Sequence, residues 1–256
     1  MTIFQYVYVR VRLLGDRNAQ ILQVTNPYMF SDIDNLTYDR LAPSLYTTKL
    51  VETLGSIALP NGSVCEIGVG SGVCLLSLAQ RGYDHLYGTD INAQSLDAAR
   101  QLLAQYAPEV QVELLQGDLW QVFDEPQNFS VVIANLPHFP GDSIDIERPK
   151  GWQGGDGRGM MDRFLRGLAT HLSPDGVALI THHDLVGLGH TEGLVNELGL
   201  QIHEVRRWTV YESRARMQSV RSQSLIDSCP TLRHLGPYCF IDSRLLKISR
   251  KGNDCQ

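Results

Sequence analysis

No stretch of the chain approaches the roughly 18 apolar residues that a membrane-crossing helix needs, so no membrane partner is expected. The first residues, Met-Thr-Ile-Phe-Gln-Tyr, lack the basic stretch and apolar run of a secretory signal. Cysteines are few and odd in number (Cys65, Cys74, Cys229, Cys239, Cys255), and none are spaced C-x-x-C. That argues against a disulfide framework and for buried thiols in a reducing, cytoplasmic setting. Nor is there an excess of positive charge: 22 Lys and Arg stand against 28 Asp and Glu, net −6. Such a balance does not suit a protein whose main partner is a phosphate backbone, although a local basic face can coexist with it. Internal repeats and low-complexity tracts are also missing. At 256 residues, about 70–75% of the unfolded surface can be buried, so no staples are required.

What is present is a lead-in followed by strict alternation. Residues 5–13 (QYVYVRVRL) alternate as a strand, Gly15 to Asn18 make a turn, and Ala19 to Val24 return, so a hairpin is expected. Residues 25–46 are irregular, with Phe30, Tyr38 and Tyr46 able to close over a pocket, and residues 1–46 are set apart as hairpin and lid. From 47 to 256 one main domain is expected. Thr47-Thr48 is positioned to cap a helix bearing Leu50, Val51 and Leu54. Strands are then expected at 63–67, 85–89, 110–115, 129–134 and 176–182. Helices are expected at 72–81, 93–106, 160–172 and 190–198, with late strands near 201–210 and 238–248. This alternation predicts an α/β, Rossmann-like, doubly wound and mostly parallel seven-stranded sheet that a terminal antiparallel hairpin completes.

The most informative stretch is Val64-Cys65-Glu66-Ile67-Gly68-Val69-Gly70-Ser71-Gly72. An apolar strand delivers the chain to a turn whose glycines permit close backbone approach to a ligand. The dinucleotide pattern G-x-G-x-x-G fails here, because Val73 stands where its third glycine belongs. The E-x-G-x-G-x-G pattern resembles instead the cofactor loop of S-adenosylmethionine (SAM) methyltransferases. Glu66 supplies an independent argument: an anion complements an ammonium and a sulfonium, and repels a pyrophosphate.

Further stations follow in order. Asp90 ends the second strand 22 residues past Gly68, followed by Ile91. A carboxylate there can hold both ribose hydroxyls, and its bland alternative is a helix cap. In SAM methyltransferases the third strand end, here Gln116-Gly117-Asp118-Leu119, meets adenine through a carboxylate and a backbone N–H. The fourth strand runs into Asn135-Leu136-Pro137-His138-Phe139-Pro140. Asn at the carboxyl end of a buried strand points into the crevice of a doubly wound sheet. Asn-x-Pro-aromatic at this station resembles the N-P-P-Y motif of methyltransferases acting on planar nitrogens. Such a nitrogen delocalises its lone pair, and holding its N–H groups aims that lone pair at the methyl.

With Gly154-Gly155-Asp156-Gly157 and Leu172-Ser173-Pro174-Asp175-Gly176, these residues resemble the glutamine methyltransferases of polypeptide release factors across roughly residues 43–185. That resemblance implies SAM (product S-adenosylhomocysteine) at Glu66, Gly68, Gly70, Gly72, Asp90, Ile91, Asp118, Leu119 and Asn135. It implies an acceptor site at Asn135, Pro137 and His138. The chain departs from the pattern on the substrate side. Leu136 replaces a proline, and His138 replaces a tyrosine with a ring that can stack or titrate near neutrality. The helical substrate-gripping domain of that family is replaced by the hairpin and lead-in.

The expected acceptor is therefore a nitrogen of a small metabolite or peptide, then a protein glutamine amide, then an rRNA or DNA adenine. A SAM-binding protein without transfer activity is the contrasting class. His182, His183, Asp184 and His190 match no standard ligand spacing, so no metal is expected; one of the histidines lining the substrate is the alternative. The Arg206–Arg216 segment mixes cations and aromatics, and residues 210–236, rich in Ser, Gln and Arg, are expected to form a flexible cap.

Overall fold

The computed structural model describes residues 43–141, 155–220 and 222–252. The expected hairpin, Phe30, Tyr38, Gly154 and Cys255 lie outside the described residues. The compact unit that begins at Pro43 opens with α1 (Leu45–Leu54), whose cap is Ser44 rather than Thr47. The Ser44 side chain accepts from the Thr47 N–H while the Thr47 side chain accepts from the Ser44 N–H, a reciprocal capping box.

The alternation follows as expected: β1 (Val64–Ile67), α2 (Val73–Ala79), β2 (His85–Asp90), α3 (Ala93–Tyr106), β3 (Gln111–Gln116), β4 (Phe129–Ala134), α4 (Gly159–His171), β5 (Leu172–His183), α5 (Leu188–Glu197) and β6 (Leu200–Glu212). Asn92 caps α3 by accepting from the Gln94 N–H. Helix α4 buries Met161, Phe164, Leu165, Leu168 and His171, the spacing of one helical face.

Strands β1 to β5 are parallel, and the sheet order is β3-β2-β1-β4-β5-β8-β6, with β8 (Tyr238–Arg250) antiparallel to both neighbours. From β1 the chain builds outward through β2 and β3, then returns to place β4 on the opposite side. The topological switch point therefore falls between β1 and β4, and ligand crevices open at the carboxyl ends of such strands. All four residues of β1 are buried. Cys65 and Ile67 join Val132, Phe164, Leu165 and Ile180 in a core on the α4 face, and strand alternation sends Glu66 toward the opposite face.

Two departures have local causes. Strand β5 begins at Leu172, four residues earlier than the Ser-Pro-Asp-Gly sequence suggests, because Leu172 pairs with Phe129 before a register shift restarts pairing at Val131 with Val177. The expected flexible cap is instead folded. Helices α6 (Arg214–Ser219) and α7 (Gln223–Ser228) and an eighth strand, β7 (Arg233–Leu235), occupy it. Met217, Val220 and Cys229 pack there with Phe139, Leu185, Cys239 and Ile241 as a small second core. The polar composition hid these few apolar positions.

Candidate functional site

At the end of β1 the chain turns on Gly68 (φ +79°), Gly70 (φ +52°) and Gly72 (φ +82°), all in the region that L side chains avoid. Gly68 and Val69 donate to Thr89 O at 2.8 and 2.9 Å, tying the loop to β2. A Cβ on Gly72 would meet that of Ala99 at 2.8 Å, so this glycine lets α2 and α3 close up. A Cβ on Gly70 would have nothing within 4 Å. Gly70 thus turns the chain beside open space, whereas Gly68 lies against Leu136 and Gly72 is a packing requirement.

Glu66 lies beneath this turn, 3% exposed. Burial raises its pKa to about 8, a rise opposed by bonds from the Cys74 thiol and the Leu75 N–H in the first turn of α2 and assisted by the nearby Asp90. Glu66 is therefore protonated at neutral pH when no cation faces it, which corrects the expectation of a fixed anion. Its Oε2 is buried without a partner. A group with an ammonium and a sulfonium would satisfy that oxygen, and the open space over Gly70 admits it, so the residues present fit SAM.

Asp90 ends β2 with its Oδ2 accepting from Gly70 N at 3.0 Å and its Oδ1 accepting from Asn92 N at 2.9 Å. Each oxygen keeps a lone pair, so the carboxylate fixes two turns and remains able to accept from hydroxyls. Ile91 beside it is 70% exposed, an apolar side chain at the crevice rim. Asp118 Oδ2 accepts from Arg163 Nη2 at 2.5 Å, a partner absent from the expectation. Leu119 has φ +53° and is the sole non-glycine with positive φ among the described residues. Backbone held in that region is strained and persists where surroundings enforce it.

Across the switch point, Asn135 leaves β4 with both ends of its carboxamide engaged. Thr181 Oγ1 donates to its Oδ1 at 2.7 Å, and its Nδ2 donates to Thr47 Oγ1 at 3.0 Å. Leu136 is buried, and its Cδ2 would meet a Cβ on Gly68 at 3.0 Å, so the two loops touch across the crevice. Pro137 is half-buried. His138 is 6% exposed and donates from Nδ1 to Leu136 O at 2.6 Å. Burial, aided by the charges of Arg216 and Arg158, lowers its pKa to about 4 against the pull of the Leu136 bond. The ring is neutral at pH 7 and does not titrate near neutrality. It stacks on His182 at 6.3 Å and meets Tyr46 edge-on at 6.2 Å.

His182 is fully buried and bonded through Nε2 to Thr191 Oγ1 at 2.9 Å, and burial holds it well below the usual histidine range. His183 accepts the Leu185 N–H at Nδ1 and donates from Nε2 to Glu212 at 3.2 Å. His190 is 60% exposed at its side chain and pairs with Asp162 at 3.4 Å, apart from the other two. Among the described residues no group of three His, Cys, Asp or Glu side chains is arranged to hold a metal. Three of the four arginines of the 206–216 segment are likewise committed: Arg206 to Glu52 at 2.7 Å, Arg207 to Glu204 at 2.8 Å and Arg216 to Glu212 at 3.2 Å.

Residues 64–146 match the model of a methyltransferase domain. The chain is 29% identical over 150 residues to a Methanocaldococcus jannaschii protein named, provisionally, as a protein N5-glutamine methyltransferase, covering 57% of this chain and 74% of that one. It is 25% identical to the ribosomal protein L11 methyltransferase of Staphylococcus aureus, covering 62% of this chain but only about half (49%) of the relative. Among solved structures, the YcgJ protein of Bacillus subtilis superposes with TM-score 0.54 at 15% identity, over 81% of this chain and 99% of that one. The ribosomal protein L11 methylase of Lactobacillus delbrueckii subsp. bulgaricus gives 0.50 at 18% identity, over 81% and 80%.

The chain carries a SAM-dependent methyltransferase domain. SAM is its methyl donor, and no helix among the described residues is long and apolar enough to cross a membrane. Two residues of this methyltransferase escaped the sequence: Thr47 and Thr181, the partners of Asn135. Thr181 becomes visible once β4 and β5 are paired, because Ala134 lies opposite Ile180 and each next residue is then a neighbour. For Thr47 the signal was present but assigned to helix capping alone.

Proposed function

We propose that this methyltransferase N-methylates a planar nitrogen, with the side-chain amide of a glutamine in a polypeptide as the best-supported acceptor. One observation carries the reading: Asn135, at the carboxyl end of β4, is held at both ends of its carboxamide by Thr47 and Thr181. Oδ1 accepts from Thr181 and keeps a second lone pair, which can receive an acceptor N–H and orient the nitrogen. The protein substrates in the names of the relatives support a polypeptide. When bound, SAM supplies an electrophilic methyl on a sulfonium. Around it, the chain's own parts would act by placement. The backbone of Gly68 to Gly72 borders the methionine portion, Glu66 meets its positive charge, Asp90 accepts from ribose, and Ile91, Asp118 and Leu119 border adenine. Asn135 and the Pro137 turn hold the acceptor. The neutral His138, with Nδ1 committed to Leu136 O, keeps Nε2 as a proton acceptor. A weak base suffices, because a methylated amide nitrogen is a strong acid until it loses its proton.

A second reading, a small metabolite or short peptide as acceptor, is favoured by Leu136 and the buried His138, which change the wall that faces the substrate. Labelled SAM incubated with purified release factors and, separately, with the small-molecule fraction of an extract separates the two. Label in the protein alone supports the first, and label in small molecules alone the second. Asn135→Ala is expected to keep cofactor affinity and lose at least a hundredfold in turnover. Equal turnover in variant and parent would remove Asn135 from the mechanism.

A further inference from the structure

Thr47 Oγ1 has more partners than a helix cap requires. It accepts from the Ser44 N–H at 3.3 Å, lies 3.0 Å from Ser44 Oγ, and accepts from Asn135 Nδ2 at 3.0 Å. A hydroxyl has one proton. Ser44 Oγ is the natural receiver of that proton, since the oxygens are in contact and Thr47 already receives two N–H groups. What Thr47 presents to Asn135 is then a lone pair, which selects the NH2 end of the carboxamide. On the other side Thr181, fully buried, donates to the C=O end. Reversing the amide would set NH2 against a donor at Thr181 and C=O against an acceptor at Thr47.

We propose that Thr47 is a positioning residue for methyl transfer: the capping box of α1 fixes which end of the Asn135 carboxamide faces the acceptor. A local signal for starting a helix thereby becomes part of the catalytic machinery 88 residues away in sequence. Thr47 acts through Asn135, and the inference rests on the reading of Asn135 as the residue that orients the acceptor.

The test uses the full chain and the variants Thr47→Val, Thr47→Ser, Thr181→Val, Ser44→Ala and Asn135→Ala. The side-chain amide of Asn135, assigned in ¹⁵N-labelled protein by its loss in Asn135→Ala, reports the geometry without any acceptor. In Thr47→Val its two hydrogens are expected to shift and to exchange with solvent at least tenfold faster, and in Thr47→Ser to stay as in the parent. Turnover with labelled SAM and purified release factors is expected to fall ten- to a hundredfold in Thr47→Val, in kcat rather than KM, and to return in Thr47→Ser. S-adenosylhomocysteine should bind all of these within about twofold of the parent. Ser44→Ala removes the receiver of the Thr47 proton: it should shift the Asn135 amide signals and lower kcat, in the same direction as Thr47→Val. Thr181→Val, which disturbs no helix cap, should lower kcat as Thr47→Val does if the latter folds poorly. Unmoved Asn135 amide signals in Thr47→Val would overturn the proposal, as would a kcat in Thr47→Val equal to that of the parent. Full turnover in Asn135→Ala would instead sink the reading beneath it, an outcome the amide signals distinguish.

Discussion

Glu66 and His138 are the residues whose chemistry the sequence stated least well, because burial decides both. Glu66 has a folded pKa of about 8, above its unfolded value, so its contribution to stability is present at low pH and is lost as pH rises through about 8. A cation arriving over Gly70 reverses the preference and expels the proton. SAM binding at pH 7 is therefore expected to release close to one proton and to tighten as pH rises toward 8. Calorimetry in buffers of different ionisation enthalpy checks this, and Glu66→Gln should abolish the proton release. His138 runs the other way. With a folded pKa of about 4, its contribution is complete above the unfolded pKa near 6.5 and is lost as pH falls through 4. Denaturant midpoints measured from pH 7 to pH 4 should fall by less in His138→Phe than in the parent. No inflection in kcat near pH 6.5 should trace to this ring.

At the scale of elements, helices and strands with a clear period were legible from end to end. Helix α3 starts and stops where its Asn92 cap and its apolar spacing place it, and β4 matches its apolar run. What was not legible depended on partners distant in sequence. Strand β5 starts early because Phe129 receives Leu172, and helices α6 and α7 are held because Phe139 and Ile241 give Met217, Val220 and Cys229 something to cover. Composition records none of these pairings. Helix α4 supplies a test of packing over propensity. Gly167 sits within the helix, and a Cβ there would collide with the Trp120 ring, which stacks on His171 at 4.7 Å and donates from Nε1 to Phe164 O at 2.8 Å. Alanine at a helix interior ordinarily gains about 0.5–1 kcal/mol over glycine. Gly167→Ala is expected to lose about 1–3 kcal/mol instead, the range of overpacked cores, read as a lower urea midpoint with an unchanged slope.

For the molecule as a whole, the glycine loop, Asp90 and Asn135 were legible because a doubly wound sheet places strand ends at one edge, and motif order then maps onto space. The orientation of the site was not, since the contacts that set it run from α1 to β4 to β5. Strand β8 joins the parallel half of the sheet to β6, pairing with both. Ile248 is fully buried in it, and Ile248→Ala is expected to cost about 2–5 kcal/mol. The unit should still unfold in one step, with circular dichroism and the fluorescence of Trp120 and Trp208 tracing one curve. If the signals separate, the β6–β8 pair is an independent folding unit.

The place of β8 has a consequence for a chain being made on a ribosome. Strands β5 and β6 emerge first and are never neighbours; each waits for a strand translated after both. Until residues 238–250 arrive, the open side of β5 offers unpaired backbone to any other strand, including the same strand of another nascent copy. An early stop or proteolytic cut before Tyr238 would leave a product with its glycine loop and Asn135 intact and its sheet unfinished. Such a fragment would be sticky rather than merely inactive, so the last described strand also guards against mispairing between copies.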